Sequence, residues 1–428
     1  MNVIVDIPLL VPILFYGKPR TGIARAIEST LEEIAKGDGC DLTFSVANNI
    51  EQFVQASVAL STHGVLGEIP FCRPGNGLLQ WVVRVAAAIY PHPDSVRLQK
   101  VRRRVISFLL KRCNLLYHSL DSGSLGKADI FHSTFFPLPQ FIRSGPSLQR
   151  FITIYDMIPA LYPNYFEPST TRIFGNVLRS IRPDDWVIAI SESTKNDFCN
   201  LTGFDPSRVF VTPLAASKRF YRCDDSQKNS DLRRRYRIPD GPYVLSLCTL
   251  EPRKNIDHTI RCFVRTVGEQ RIPDLNLVLV GTKGWDFDRI FAEITNDSEM
   301  QKRIVVTGYL PDEDLASLYS GAMMFVYPSL YEGFGLPPLE AMQCGVPVIT
   351  SNSSSLPEVV GDAGLLVSPT DADALCQALW DIYGNSELRG EMGLKSVKRA
   401  ALFSWEQCGR DTVAAYVSAT GAKSSGSK

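Results

Sequence analysis

The sequence predicts two doubly wound α/β domains, and three observations lead there. Short β-branched runs alternate with amphipathic helical stretches along nearly all of the 428 residues. The runs are apolar throughout instead of alternating, as expected of strands covered on both faces in a parallel sheet. They also fall into two successive series, and a chain of this length, at roughly 100–200 residues per domain, suggests two domains.

The first series reads Val3–Val5, Leu42–Val46, Ile130–His132, Phe151–Ile154, Trp186–Ile190 and Val209–Thr212. The second reads Tyr243–Leu247, Leu277–Val280, Ile304–Thr307, Met324–Tyr327, Val348–Thr350 and Leu365–Val367. The stretch from Pro213 to Pro242 carries the polar run Asp224–Ser230 and the triplet Arg233-Arg234-Arg235, a linker-like composition. Domains are therefore expected over 1–213 and 214–404. Residues 405–428 follow, ending in a Gly/Ser/Lys-rich tail, Thr420–Lys428, expected to be disordered. Asp6, Pro8 and Pro12 interrupt the first apolar run and no basic segment precedes it, so it reads as a first strand and not as a signal segment. Leu78–Tyr90 is too short to span a bilayer, which takes about 20 apolar residues. Ten scattered cysteines without a C-x-x-C pair fit reduced thiols in a cytoplasmic protein. Forty-five basic side chains balance 45 acidic ones, without the basic excess of a dedicated nucleic-acid binder.

In open parallel sheets ligands bind beyond the carboxyl ends of strands, so the loops after strands are where chemistry is expected. The most informative is Tyr327-Pro328-Ser329-Leu330-Tyr331-Glu332-Gly333-Phe334-Gly335-Leu336-Pro337-Pro338-Leu339-Glu340. Gly333 and Gly335 let backbone approach a ligand. Pro337 and Pro338 suit the first turn of a helix that ends at Gly345. Free N–H groups at the helix start favour an anion such as a diphosphate. Glu332 can accept from two neighbouring sugar hydroxyls. Glu340, expected in the first turn, either complements the helix dipole or binds ligand. After strand Tyr243–Leu247 comes Glu251-Pro252-Arg253-Lys254-Asn255, whose adjacent cations form either a solvated turn or a phosphate site.

Together these stretches resemble the retaining GT-B glycosyltransferases of family 4. Glu332 and Glu340 match that family's E-x7-E motif, and Glu251–Asn255 matches its donor-phosphate motif. Val278-Leu279-Val280-Gly281, Val306-Thr307-Gly308-Tyr309-Leu310, Cys344-Gly345-Val346-Pro347-Val348 and Leu356–Gly361 follow in the family's order. Thr21-Gly22-Ile23-Ala24-Arg25 resembles the glycine loop after the first strand. It is not a Walker A loop, because Ile23-Ala24 stand where Lys and Ser/Thr would be. Asp129–His132 and Thr153–Pro159 resemble the branch of mannosyl- and rhamnosyltransferases of bacterial surface polysaccharides.

The resemblance implies two Rossmann-like domains facing an interdomain cleft, with the C-terminal stretch from Trp405 crossing back to the first domain. It implies retaining transfer of a hexosyl group from a nucleotide-sugar, GDP-mannose, to a glycan acceptor carried on a lipid, without cofactor or metal. The donor site would comprise Gly22, Arg253, Lys254, Gly281, Tyr309, Glu332, Gly333, Phe334, Gly335, Leu336, Pro337 and Glu340. Of these, Glu332, Lys254 and Arg253 would act in catalysis, and His132 and Asp156 would face the acceptor. Two alternatives stay open: a GT-B enzyme acting on a soluble sugar, and a non-catalytic nucleotide-sugar-binding protein.

The chain departs from the family's pattern at Cys248-Thr249, where Gly-Arg is common, and at Tyr155, where a His is common. His132 can equally be a satisfied structural residue. The triplets Asp286–Asp288, Asp312–Asp314 and Asp371–Asp373 are expected to cap helices and not to hold a metal. Finally, Val96–Leu116 places Leu98, Val101, Val105, Phe108 and Leu109 on one helical face beside seven cations and no acid. Such a helix either packs on its own core or lies on an anionic membrane.

Overall fold

The computed structural model describes residues 1–16, 21–47, 49–60, 63–90, 97–113, 120–144, 148–248, 251–281 and 298–421. Gly17, Val96, residues 114–116, Thr249, Asp286–Asp288 and the tail from 422 lie outside the described residues. All twelve expected strands are present. β1 (Asn2–Asp6), β2 (Asp41–Ser45), β3 (Ile130–Ser133), β4 (Gln149–Ile154), β5 (Trp186–Ala189) and β6 (Val209–Val211) form one parallel sheet in the order β2-β1-β3-β4-β5-β6. β7 (Tyr243–Leu247), β8 (Asn276–Val280), β9 (Ile304–Gly308), β10 (Met324–Tyr327), β11 (Val348–Ser351) and β12 (Leu365–Val367) form a second, ordered β12-β11-β10-β7-β8-β9.

Nearly every residue of β1, β3, β5, β8, β10 and β11 is buried, which is why these strands show no in–out alternation. Strand order reverses between β1 and β3 in the first sheet and between β7 and β10 in the second. The carboxyl ends at those two places are the expected ligand positions.

Two compact units emerge. The first holds 1–190, 195–212 and 405–428, and the second holds 191–194 and 213–404. The C-terminal helix Trp405–Gly421 belongs to the first unit, where it packs on the Gly22–Lys36 helix. Gly409 makes that approach possible: a Cβ there would lie 3.0 Å from the Glu33 Cβ.

Of the aspartate triplets, Asp371 caps the Ala372–Gly384 helix by accepting from the Ala374 N–H at 2.9 Å. Asp373 instead pairs with Arg265, and Asp314 with Arg235 and Tyr236, so these two are ion-pairing residues, not caps. All ten cysteines are free.

Candidate functional site

β7 and β10 are hydrogen-bonded neighbours at the switch point of the second sheet, with Met324 opposite Val244 and Phe325 opposite Leu245. That pairing brings together two loops 78 residues apart in sequence. After β7, a short 3-10 turn, Pro252–Lys254, carries Arg253 and Lys254, and Asn255 closes it at φ 59°. The Asn255 amide donates to the carbonyls of Pro328 (3.0 Å) and Pro369 (2.7 Å), tying the turn to the β10 loop. The Leu330 N–H in turn donates to the Arg253 carbonyl at 2.9 Å.

Glu332 is the hub. Its Oε1 receives Lys254 Nζ at 2.7 Å, Arg253 Nη1 at 3.0 Å, Ser329 Oγ at 2.6 Å and Tyr327 OH at 2.9 Å. Oε2 has no partner among the described residues. Burial would raise this carboxyl, but Lys254 and Arg253 beside it, with the donated hydrogen bonds, bring it down to about 2. It is therefore a carboxylate at any physiological pH. Arg253 also donates to the Tyr331 carbonyl and to Glu251, and Lys254 to Tyr327 OH. Their side chains are only 13% and 11% exposed, so the solvated-turn alternative does not hold. Arg253 has five N–H donors and Lys254 three. Together they use about five, leaving roughly three for a ligand. Cys248, packed beside this group, has its thiol pushed up to about 12 by burial, and stays neutral.

Hydroxyls pin this glycine-containing loop on both sides. Ser353 holds the Leu330 carbonyl, Ser354 Oγ accepts from the Glu332 N–H, and Ser355 holds the carbonyls of Glu332 and Phe334. Ser191 and Thr194 both donate to the Gly333 carbonyl, at 2.7 and 3.2 Å. Sequence reasoning missed these serines, Tyr327 and Asn255. The run Ser351–Ser355 reads as an ordinary loop, and its only signal is its density of hydroxyls after a buried strand.

The helix start differs from expectation in two ways. The helix spans Leu336–Gln343, so Glu340 lies in its second turn, buried, with Oε2 accepting from Tyr319 OH at 3.0 Å. Pro337 and Pro338 remove two N–H groups, and the Leu339 N–H already donates to the Gly335 carbonyl. The N–H groups left without an acceptor among the described residues are instead those of the loop, at Gly333, Phe334, Gly335 and Leu336. Gly335 at φ 109° gives the loop this turn, and successive N–H groups in such a turn form an anion-binding nest. Gly281 and Tyr309 lie at the carboxyl ends of the neighbouring β8 and β9. Gly281 donates to the Gly308 carbonyl, and the Tyr309 side chain is exposed.

In the first unit, Gly22 opens the Gly22–Lys36 helix behind the Thr21 cap. His132 does not face an acceptor: Nδ1 meets Tyr416 OH at 2.5 Å, Nε2 meets Thr153 Oγ1 at 2.8 Å, and the ring packs edge-on against Phe151. Burial lowers it to about 3. It is a core residue that seats the C-terminal helix. Asp156 accepts from the Ile158 N–H at 2.9 Å and borders a cavity of about 330 Å³, lined chiefly by Ile23, Phe135, Phe136, Phe166 and Phe174.

Residues 228–399 match the family model described as Glycosyl transferases group 1. Over 289 residues, 67% of this chain and 74% of the other, the sequence is 34% identical to the O-antigen chain mannosyltransferase B of Escherichia coli. Over 239 residues it is 30% identical to the GDP-mannose-dependent alpha-(1-6)-phosphatidylinositol monomannoside mannosyltransferase of Mycolicibacterium smegmatis, covering 54% of this chain and 61% of that one. Among solved structures, the sucrose-phosphate synthase of Thermosynechococcus elongatus superposes with a TM-score of 0.65 at 20% identity, covering 99% of this chain and all of that one.

Proposed function

This chain belongs to the group 1 glycosyl transferases, and from that premise we propose that it moves a mannosyl group from GDP-mannose to a lipid-carried glycan, with retention, in the synthesis of a bacterial surface polysaccharide. The observation that carries this reading is the convergence of Arg253, Lys254 and Glu332 at the switch point of the second sheet, beside four N–H groups without an acceptor among the described residues. The unused cation donors and the loop N–H groups take the oxygens of the departing diphosphate. They are placed before the charge develops, which is how such groups lower a barrier. Glu332 Oε2 takes sugar hydroxyls and stabilises positive charge near the anomeric carbon. Tyr309 offers a face to the base, and Glu340 is held for the ribose. Asp156, on the rim of the apolar cavity, is the acceptor-side residue. No helix among the described residues is long and apolar enough to cross a membrane. A lipid-carried acceptor is instead reached from the cytoplasmic surface through the basic helix Arg97–Cys113.

Calorimetric titration with GDP and transfer kinetics, both in EDTA, test this together. A charge-assisted hydrogen bond is worth roughly 1.5–3 kcal/mol. Glu332→Gln should therefore lower kcat about tenfold to a hundredfold while GDP affinity holds, the signature of an interaction that strengthens in the transition state. Glu340→Gln should weaken GDP itself. The opposite pattern would reverse the two roles. Activity lost in EDTA and restored by Mg²⁺ would overturn the metal-free reading, and transfer to free mannose alone would remove the lipid-carried acceptor.

A further inference from the structure

The helix Arg97–Cys113 turns its apolar stripe outward. Ile106 and Leu110 face the core at 9% and 2% exposure, whereas Val101, Val105, Phe108 and Leu109 are 54–59% exposed. At about 100° per residue these four cover an arc of roughly 100°. Exposed Arg102, Arg104 and Lys111 flank that arc, and Arg112 lies within it, folded over the Phe108 ring. The preceding helix, Gly77–Ile89, does the same. Leu79, Val83 and Ala86 are buried, while Leu78, Trp81, Val85 and Ile89 are 38–62% exposed on one face of roughly 80°.

Both helices pack on Ile50–Leu60, and Tyr90 joins all three through hydrogen bonds to Gln55 (3.1 Å) and Ser107 (2.9 Å). Each helix thus holds four large apolar side chains outward from the same supporting helix. Soluble monomers scatter such residues, and a grouped patch marks an interaction site. The Arg97–Cys113 sequence carries seven cations and Gly77–Ile89 one, with no acid in either. We infer that the two helices together form a hydrophobic docking surface for an anionic bilayer, with Trp81 and Phe108 entering the headgroup–acyl boundary and the cations on the phosphates. The inference extends the membrane approach proposed above from one basic helix to a two-helix apolar face, and its binding test needs neither donor nor acceptor.

The test is co-sedimentation with phosphatidylglycerol–phosphatidylcholine vesicles and with pure phosphatidylcholine vesicles, at low and high salt. Wild type should pellet with the anionic vesicles and retain part of that binding at high salt. Near an anionic surface each charge changes binding severalfold to tenfold, so Arg102→Gln/Arg104→Gln/Lys111→Gln should bind about a hundredfold more weakly at low salt. Trp81→Gln/Val105→Gln/Phe108→Gln should lose the salt-resistant part. Trp81→Gln alone, at the most exposed of the eight positions, repeats that arm with the least risk to folding. Transfer to a water-soluble mannoside should stay at the wild-type rate in all three, which separates a failure of docking from a failure of the enzymatic reading. Wild type remaining in the supernatant, or the apolar variants binding like wild type, would overturn the inference. So would a dimer dispersed by the apolar substitutions with no vesicle binding, because the face would then meet a second copy.

Discussion

Asp6 and His132 lie at the switch point of the first sheet, on β1 and β3, where Val5 is opposite His132. Both are fully buried, and neither takes part in the proposed transfer. Burial raises the Asp6 carboxyl to about 7, although Ala47 N–H and Ser45 Oγ donate to Oδ1, and Oδ2 has no partner among the described residues. Burial lowers His132 to about 3. Their effects on stability run in opposite directions. Between about pH 4 and 7 the folded state keeps the Asp6 proton and the unfolded chain has lost it, so this term falls as pH rises. Between about pH 3 and 6.5 the unfolded chain protonates its histidine and the folded state does not, so this term rises with pH, each slope reaching about 1.4 kcal/mol per pH unit. Across their overlap the two nearly cancel. Urea unfolding of the first unit should therefore change little from about pH 4.5 to 6.5 in wild type. Asp6→Asn should make stability rise with pH, and His132→Gln should make it fall. Identical slopes in all three proteins would show that neither group titrates as argued.

At the level of elements, the loop after β10 depends on Gly335. Its φ of 109° lies where side chains are disfavoured, and a Cβ there would come 2.8 Å from Leu356 Cδ2, on the short helix Leu356–Val360. Gly335→Ala should cost about 1–3 kcal/mol in thermal unfolding and should weaken GDP binding by displacing the N–H groups. An unchanged melting temperature with unchanged GDP affinity would refute that role. The strands were legible because they are short β-branched runs between helical stretches, the central ones apolar on both faces, and the glutamate loop was legible through its resemblance to the family's E-x7-E motif. The Glu332 hub was not: it follows from β7 lying beside β10, and periodicity within a segment says nothing about which strands become neighbours. Nor could periodicity say which way the stripe of Arg97–Cys113 points. An apolar arc reads the same whether it faces core or solvent, and here Ile106 and Leu110, on the opposite side, take the core.

In the whole molecule, chain order and packing part company at the C-terminus. The change of composition after Pro213 located one boundary, and the second unit ends at Ser404. The last helix buries a stripe of Trp405, Cys408, Thr412, Ala415, Tyr416 and Ala419, and only the family resemblance indicated where it packs. It returns to the first unit, against Gly22–Lys36, with Tyr416 OH on His132 Nδ1. Each large buried side chain contributes roughly 1.5–3 kcal/mol, and a domain's net stability is only about 5–15 kcal/mol. Removing the helix takes Trp405 and Tyr416 out of that core and leaves a buried imidazole nitrogen unsatisfied, a further cost of about 1–3 kcal/mol. A chain truncated before Trp405 should therefore lose the cooperative unfolding of its first unit and become cleavable there by protease. The second unit, which keeps Arg253, Lys254, Glu332 and every serine that pins their loop, should still bind GDP near full-length affinity. Calorimetric titration and limited proteolysis on the same truncated sample separate the two outcomes. A protease-resistant first unit would mean that the helix is dispensable there, and loss of GDP binding would mean that the second unit also relies on it.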